Sequence, residues 1–250
     1  MAAIAVLAGV MGLLVGSFLN VVAWRLPRGE SLVHPRSRCP GCGTPIKPYD
    51  NVPVLSWLVL RGRCRTCGTP ISPRYPLVEA ATGALYVAVV LGRDGALETV
   101  LGLLLVTALV PITLIDLERR LIPNAITLPA SVAALVAAVV LDLSFVPEQL
   151  IAGVGAGGFF LLAALAYPRG MGMGDVKLAG MLGLYLGRAV APAVFIALIA
   201  GVLVGGVIMA RLGAREGRKA AVPFGPFLSL GALIAMFVGD GLVDAYLDRF

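Results

Sequence analysis

Two aspartates stand where an apolar stretch gives way to a polar one: Asp116 in Ile115-Asp116-Leu117, and Asp175 after Gly172-Met173-Gly174. Two carboxylates brought close cannot both ionise cheaply. One then keeps a proton while the other activates water, the arrangement by which aspartic proteases hydrolyse amides without a covalent intermediate. Each residue also has a plain explanation. Asp116 neighbours Glu118, Arg119 and Arg120, as an ordinary interfacial charge would, and Asp175 is placed to N-cap the helix it starts. Gly170, Gly172 and Gly174 favour chemistry, because they bare the backbone beside a carboxylate, as a site receiving extended peptide requires. Helix polarity distinguishes the two: Asp116 is expected at a helix C-terminus and Asp175 at an N-terminus, where the dipole favours an anion. Asp116 is therefore the expected proton carrier. Lys177 either pairs with a substrate carboxylate, steadies the ionised aspartate, or snorkels at an interface.

The four cysteines form a second constellation. Cys39-Pro-Gly-Cys42 and Cys64-Arg-Thr-Cys67 are two Cys-x-x-Cys hooks separated by 21 residues, the spacing of four-thiolate zinc sites. An internal repeat strengthens the reading: Arg38-Cys-Pro-Gly-Cys-Gly-Thr-Pro-Ile46 recurs as Arg63-Cys-Arg-Thr-Cys-Gly-Thr-Pro-Ile71. A glycine after each second cysteine suits the tight turn that paired thiolates need. A disulfide pair or a redox hook competes, but a reducing compartment argues against stable disulfides and no redox partner fold is visible, while zinc replaces a core too small to hold about 50 residues together. With four thiolates the tetrahedron is complete, which leaves His34 as a solvated loop residue.

The elements that position these residues are set by composition. The 250-residue chain is 59% hydrophobic and 14% charged, too apolar for a soluble domain. Apolar stretches of spanning length lie near 2–23, 77–92, 97–115, 124–141, 148–167, 190–211 and 223–243, and a short one at 175–187. Counting the short one gives an all-α polytopic membrane protein of about eight transmembrane helices. Eight spans place every Lys and Arg except Arg93, Arg188 and Arg249 on one side, which the positive-inside rule makes the cytoplasm. Both termini are then expected outside it. Seven spans would export the basic 211–222 loop, which the same rule disfavours. No basic residue precedes the first stretch and Arg25 follows it, so it is expected to remain as helix 1 rather than act as a signal. The expected organisation is helix 1 over 1–23, a cytoplasmic zinc-binding domain over 24–76, and a catalytic bundle over 77–250. The net charge of +6 is topological, and no nucleic-acid footprint of aromatics interleaved with a basic face is present.

At these residues the chain resembles the type IV prepilin peptidases, bacterial membrane aspartic proteases with a Gly-x-Gly-Asp motif. The resemblance is carried by Gly16-Ser17-Phe18-Leu19-Asn20, Arg25-Leu26-Pro27, Pro53-Val54-Leu55-Ser56-Trp57, Ser72-Pro73-Arg74-Tyr75-Pro76-Leu77-Val78-Glu79, Ile122-Pro123-Asn124, Gly172-Met173-Gly174-Asp175-Val176-Lys177 and Pro223-Phe224-Gly225-Pro226-Phe227. Trp24 and Val52 depart from common family residues without touching the expected chemistry. The resemblance implies cleavage of a basic leader from type IV prepilins and type II secretion pseudopilins at the cytoplasmic face of a bacterial inner membrane. It implies Asp116 and Asp175 as the catalytic aspartates. It also implies N-methylation of the exposed residue with S-adenosylmethionine, an activity for which the sequence offers no glycine-rich nucleotide fold. The enzyme's loops are as basic as the leader, so Glu79 and anionic membrane lipid are the expected local partners. Two other classes compete. An ion-coupled transporter places its carboxylates near mid-membrane, and a non-enzymatic assembly factor tolerates their replacement by asparagine.

Overall fold

A computed structural model describes residues 1–168, 171–213 and 222–249. Gly170 of the glycine run, with Arg169, Arg215, Arg218 and Lys219 of the charge argument, lies outside them. The main helices are α1 (Ala2–Arg25), α2 (Leu55–Val59), α3 (Arg74–Gly92), α4 (Ala96–Arg119), α5 (Asn124–Leu141), α6 (Val146–Ala166), α7 (Met173–Leu186), α8 (Val190–Leu212) and α9 (Gly225–Leu247). Among the described residues, seven helical segments are long and apolar enough to cross a membrane. One of them, Met173–Leu212, runs for 40 residues and holds both α7 and α8. The chain breaks between them at Gly187, whose φ of +52° is open to glycine at little cost.

The chain divides into two compact units, Met1–Asp94 and Gly95–Phe250. In the first, α1 packs on α3 through small residues. A Cβ on Gly12 would fall 2.7 Å from the Gly83 Cα, and one on Gly16 would fall 2.9 Å from the Glu79 Cα, so the two backbones meet as small-xxx-small membrane helices do. Between α1 and α3 lie the cysteine hooks and α2.

In the second unit, α7 is the most enclosed helix: Val176, Leu178, Ala179, Met181, Leu182, Gly183, Tyr185 and Leu186 are all buried. It runs antiparallel to α6, with Gly157 near Gly180 and Gly153 against Leu184. Along α5 it runs parallel, and the Tyr185 hydroxyl donates to the Ala130 carbonyl at 2.8 Å. α8 and α9 form an antiparallel pair, Gly231 seated against Ala193 and Gly239 against Ala189. The outward faces of α5, α6 and α8 expose Val140, Ile151, Val154 and Val202, an apolar exterior that only a lipid-like solvent matches.

Candidate active site and metal centre

Asp116 lies in the last turn of α4, which the left-handed Arg120 closes by donating its N–H to the Asp116 carbonyl at 2.9 Å. Its carboxylate is buried and accepts the Gly225 N–H through Oδ2 at 3.0 Å. Asp175 is the third residue of α7, after the cap residue Gly172. It is therefore not the N-cap itself. Its Oδ2 accepts the cap N–H at 3.3 Å, a reach back that satisfies one of the helix's free donors.

Ile122, between α4 and α5, brings the two aspartates to one end of the unit. Its side chain closes on Gly174, where an added Cβ would be 3.0 Å away, and on Gly225, where it would be 3.4 Å away. The same Cβ on Gly225 would lie 2.6 Å from Asp116 Oδ2. Ile122 thus touches both Gly174, the neighbour of Asp175, and Gly225, whose amide donates to Asp116. Helix polarity no longer separates them as the sequence suggested, because the start of α9 presents an amide to Asp116 just as α7 does to Asp175.

Lys177 is exposed and donates to Asn124 Oδ1 at 3.0 Å, which joins the starts of α7 and α5. Glu79 belongs to the other unit. It is buried on α3, and its Oε2 accepts the Val54 N–H at 2.7 Å. Sequence reading missed the parts played by Gly225 and Ile122. The available signal was a glycine between Pro223 and Pro226 just before an apolar helix, a position that needs bare backbone at a helix start.

The four cysteines converge as the repeat predicts. Cys39 and Cys64 donate their N–H groups to Thr44 and Thr69, Gly43 and Gly68 donate to Cys39 and Cys64, and short bridges pair Arg38 with Pro45 and Arg63 with Pro70. Gly43 and Gly68 have φ of +69° and +72°, so each hook needs its glycine. All four Sγ atoms lie within 4.8 Å of one another, with Cys39 and Cys67 at 3.6 Å, and no disulfide joins them. A tetrahedron with Zn–S bonds of about 2.3 Å has edges of about 3.8 Å, so the donor set fits zinc. Beside the hooks, Arg65 grips Asp50 through Nε and Nη2, at 3.0 and 2.6 Å to Oδ1, and holds that carboxyl below the usual carboxylate range.

Residues 10–92 match the bacterial peptidase A24 N-terminal domain, and residues 103–209 match the type IV leader peptidase family. Several relatives bear the name prepilin leader peptidase/N-methyltransferase. The one from Myxococcus xanthus is 41% identical over 207 aligned positions, covering 80% of this chain and 62% of its own length. That from Aeromonas hydrophila is 36% identical over 271 positions, covering 95% and 92%. That from Pseudomonas aeruginosa is 35% identical over 272 positions, covering 95% and 91%. No solved structure matches significantly.

Proposed function

Since the chain belongs to the type IV leader peptidase family, we propose that it cleaves the leader from prepilins and N-methylates the residue so exposed. The observation that supports the hydrolytic half is that Ile122 packs on both Gly174, next to Asp175, and Gly225, whose N–H donates to Asp116, within the Gly95–Phe250 unit. We assign these two aspartates the catalytic role. One proton is shared between them; the ionised partner takes a proton from water as the oxygen attacks the scissile carbonyl, and the protonated partner passes a proton to the leaving amine. Gly172, Gly174 and Gly225 keep side chains away from the peptide's path. Lys177, steadied by Asn124, is assigned to a substrate carboxylate at the rim, and the second oxygen of Glu79 to a basic group of the leader.

The proposed placement is a bacterial inner membrane crossed eight times, with α7 as the short span, the aspartates at the cytoplasmic face and both termini outside the cytoplasm. In support, the end that carries Asp116 and Asp175 also carries Arg119, Arg120, Lys177 and Arg211, while the other end collects Glu98, Asp142, Glu148, Asp240 and Asp244. Residues 1–23 form the first span, 24–76 a cytoplasmic domain whose four thiolates hold zinc, and 77–250 the remaining spans, those from Gly95 onward carrying the aspartates. Zinc there is structural. Its ligand set is complete and leaves no position for water. S-Adenosylmethionine, as methyl donor, supplies an electrophilic methyl group for the new N-terminal amine. The regular structure of the described residues is helical apart from isolated bridges, so a site among them would be of another kind than a doubly wound nucleotide fold. Substrates are prepilins and type II secretion pseudopilins, which share a basic leader before an apolar helix.

The test is to incubate the purified protein with a prepilin, with and without S-adenosylmethionine, and weigh the product. Leader loss is expected in both arms and added methyl mass only with the donor. Asp116→Asn and Asp175→Asn are each expected to slow leader loss by roughly 10²–10⁴-fold. Cleavage undiminished in either variant refutes the aspartate assignment and restores the scaffold reading.

A further inference from the structure

The polar domain has an apolar surface that neither its metal centre nor its hooks explain. α2 exposes Leu55, Leu58 and Val59 at 62%, 57% and 75% of their areas, and Tyr49 and Val52 extend the patch. Patches of this kind mark a surface that some other apolar phase covers.

The depth of α2 along the α1/α3 pair identifies that phase. Trp24, with Arg28 stacked 3.5 Å from its ring centre, is exposed at the end of α1, and Tyr75 is exposed at the start of α3. Aromatic rings at helix ends of this kind mark the membrane–water boundary. Asn20 donates to the Tyr75 carbonyl at 3.3 Å, which aligns the two ends. α2 does not stand off beyond this boundary. The Val54 N–H that precedes it donates to the buried carboxylate of Glu79, whose Cα lies one turn beyond Tyr75 and opposite Gly16 and whose side chain leans back toward the start of α3, so α2 is held at the level of this boundary. Val54 sits at a φ of +61°, an unfavourable conformation for a β-branched residue, in a tight turn whose Leu55 N–H donates to the Pro53 carbonyl. Burial of the exposed apolar side chains of α2 in lipid would offset the cost of holding an apolar turn at that level. Charge agrees: residues 24–76 contain nine Lys and Arg against Glu30 and Asp50, with Arg61 and Arg63 exposed just past α2.

We infer that Leu55–Val59 is an interfacial anchor, with Leu55, Leu58 and Val59 inserted at the headgroup–acyl boundary of the bilayer that α1 and α3 cross, and Arg61 and Arg63 on the lipid phosphates. The metal domain is then fastened to the membrane at three points: the end of α1, the start of α3 and α2. This inference rests on the first unit alone and survives a failure of the peptidase reading.

Depth-dependent quenching tests it in the full chain reconstituted in phosphatidylethanolamine/phosphatidylglycerol vesicles. Trp24 and Trp57 are the only tryptophans, so Trp24→Phe leaves one background emitter. Adding Leu58→Trp, and separately Val59→Trp, places a reporter on the patch at positions exposed enough to leave the packing undisturbed. The added emission is expected to be lost with phospholipids brominated high in their acyl chains and to resist acrylamide. Emission lost to acrylamide and untouched by brominated lipid overturns the anchor, since the patch is then in water. Emission resistant to both overturns it as well, and indicates cover by protein, such as a second copy of this chain.

Discussion

The cysteine domain and the helical bundle gather chemical groups in opposite ways. In the hooks, thiolates three residues apart are brought together by local turns, each repeat closing on its own Gly43 or Gly68 before the two meet. In the bundle, Asp116 and its amide partner Gly225 are 109 residues apart, and packing of long apolar helices alone brings them to contact. The proposed zinc ligands are the core of the first region, so releasing the metal is expected to remove its fold. The aspartates of the second sit on a frame that folds without them, and a change there is expected to alter chemistry while sparing structure.

Metal removal is the strongest test of this contrast. Binding at structural four-ligand zinc sites is worth about 10–16 kcal/mol in small domains, so chelation, or Cys39→Ser with Cys64→Ser, should release the metal and open residues 38–72 to protease. The helical circular dichroism of the bundle should stay. A domain that remains protease-resistant without metal would break the comparison. Next in size, Gly225→Ala places a methyl group 2.6 Å from Asp116 Oδ2 and should lower leader cleavage by about 100-fold, the scale of an ångström displacement at a reacting group. Gly205→Ala on α8 meets nothing within 4 Å and serves as the control that keeps full activity.

Tyr185→Phe sharpens the picture of the frame. It deletes the part-buried hydrogen bond to Ala130 between α7 and α5 and should cost about 1 kcal/mol, read as a lower thermal midpoint with cleavage retained in the cold. The smallest effect concerns Asp50. Arg65 depresses its folded-state pKa, so its contribution to stability is present above the unfolded carboxylate range and disappears as pH falls through the depressed value. Asp50→Asn should be less stable than wild type near neutrality, with the gap closing at acid pH. A gap independent of pH would mean that Arg65 does not act on a charge.

Sequence legibility followed the same division. The hooks were readable down to their glycine conformations, because every determining contact lies within nine residues of a repeated motif. The helices were readable as apolar runs, and the limits of α5 coincide with the stretch read at 124–141. Two features escaped. The Gly225 amide reaches Asp116 through tertiary packing, which no local pattern encodes, and it levels the helix polarity that seemed to set the two aspartates apart. Glu79, read as a contact for a leader, turned out to hold the Val54 turn as well, a tie legible only once α3 is seen beside the loop.

The shortness of α7 has a mechanical consequence. Fourteen residues rise about 21 Å, against a hydrocarbon core of about 30 Å. Past its far end, Arg188 is clamped by Asp240 and Asp244 at 3.2 and 2.6 Å, and Glu148 accepts its amide, so the helix cannot slide to share the deficit. On the eight-span placement proposed above, hydrophobic mismatch would be focused at Asp175: with the Arg188 cluster at one lipid boundary, its carboxylate would lie beneath the other, and local thinning of the bilayer would bring water to a peptide bond at the threshold of an apolar helix.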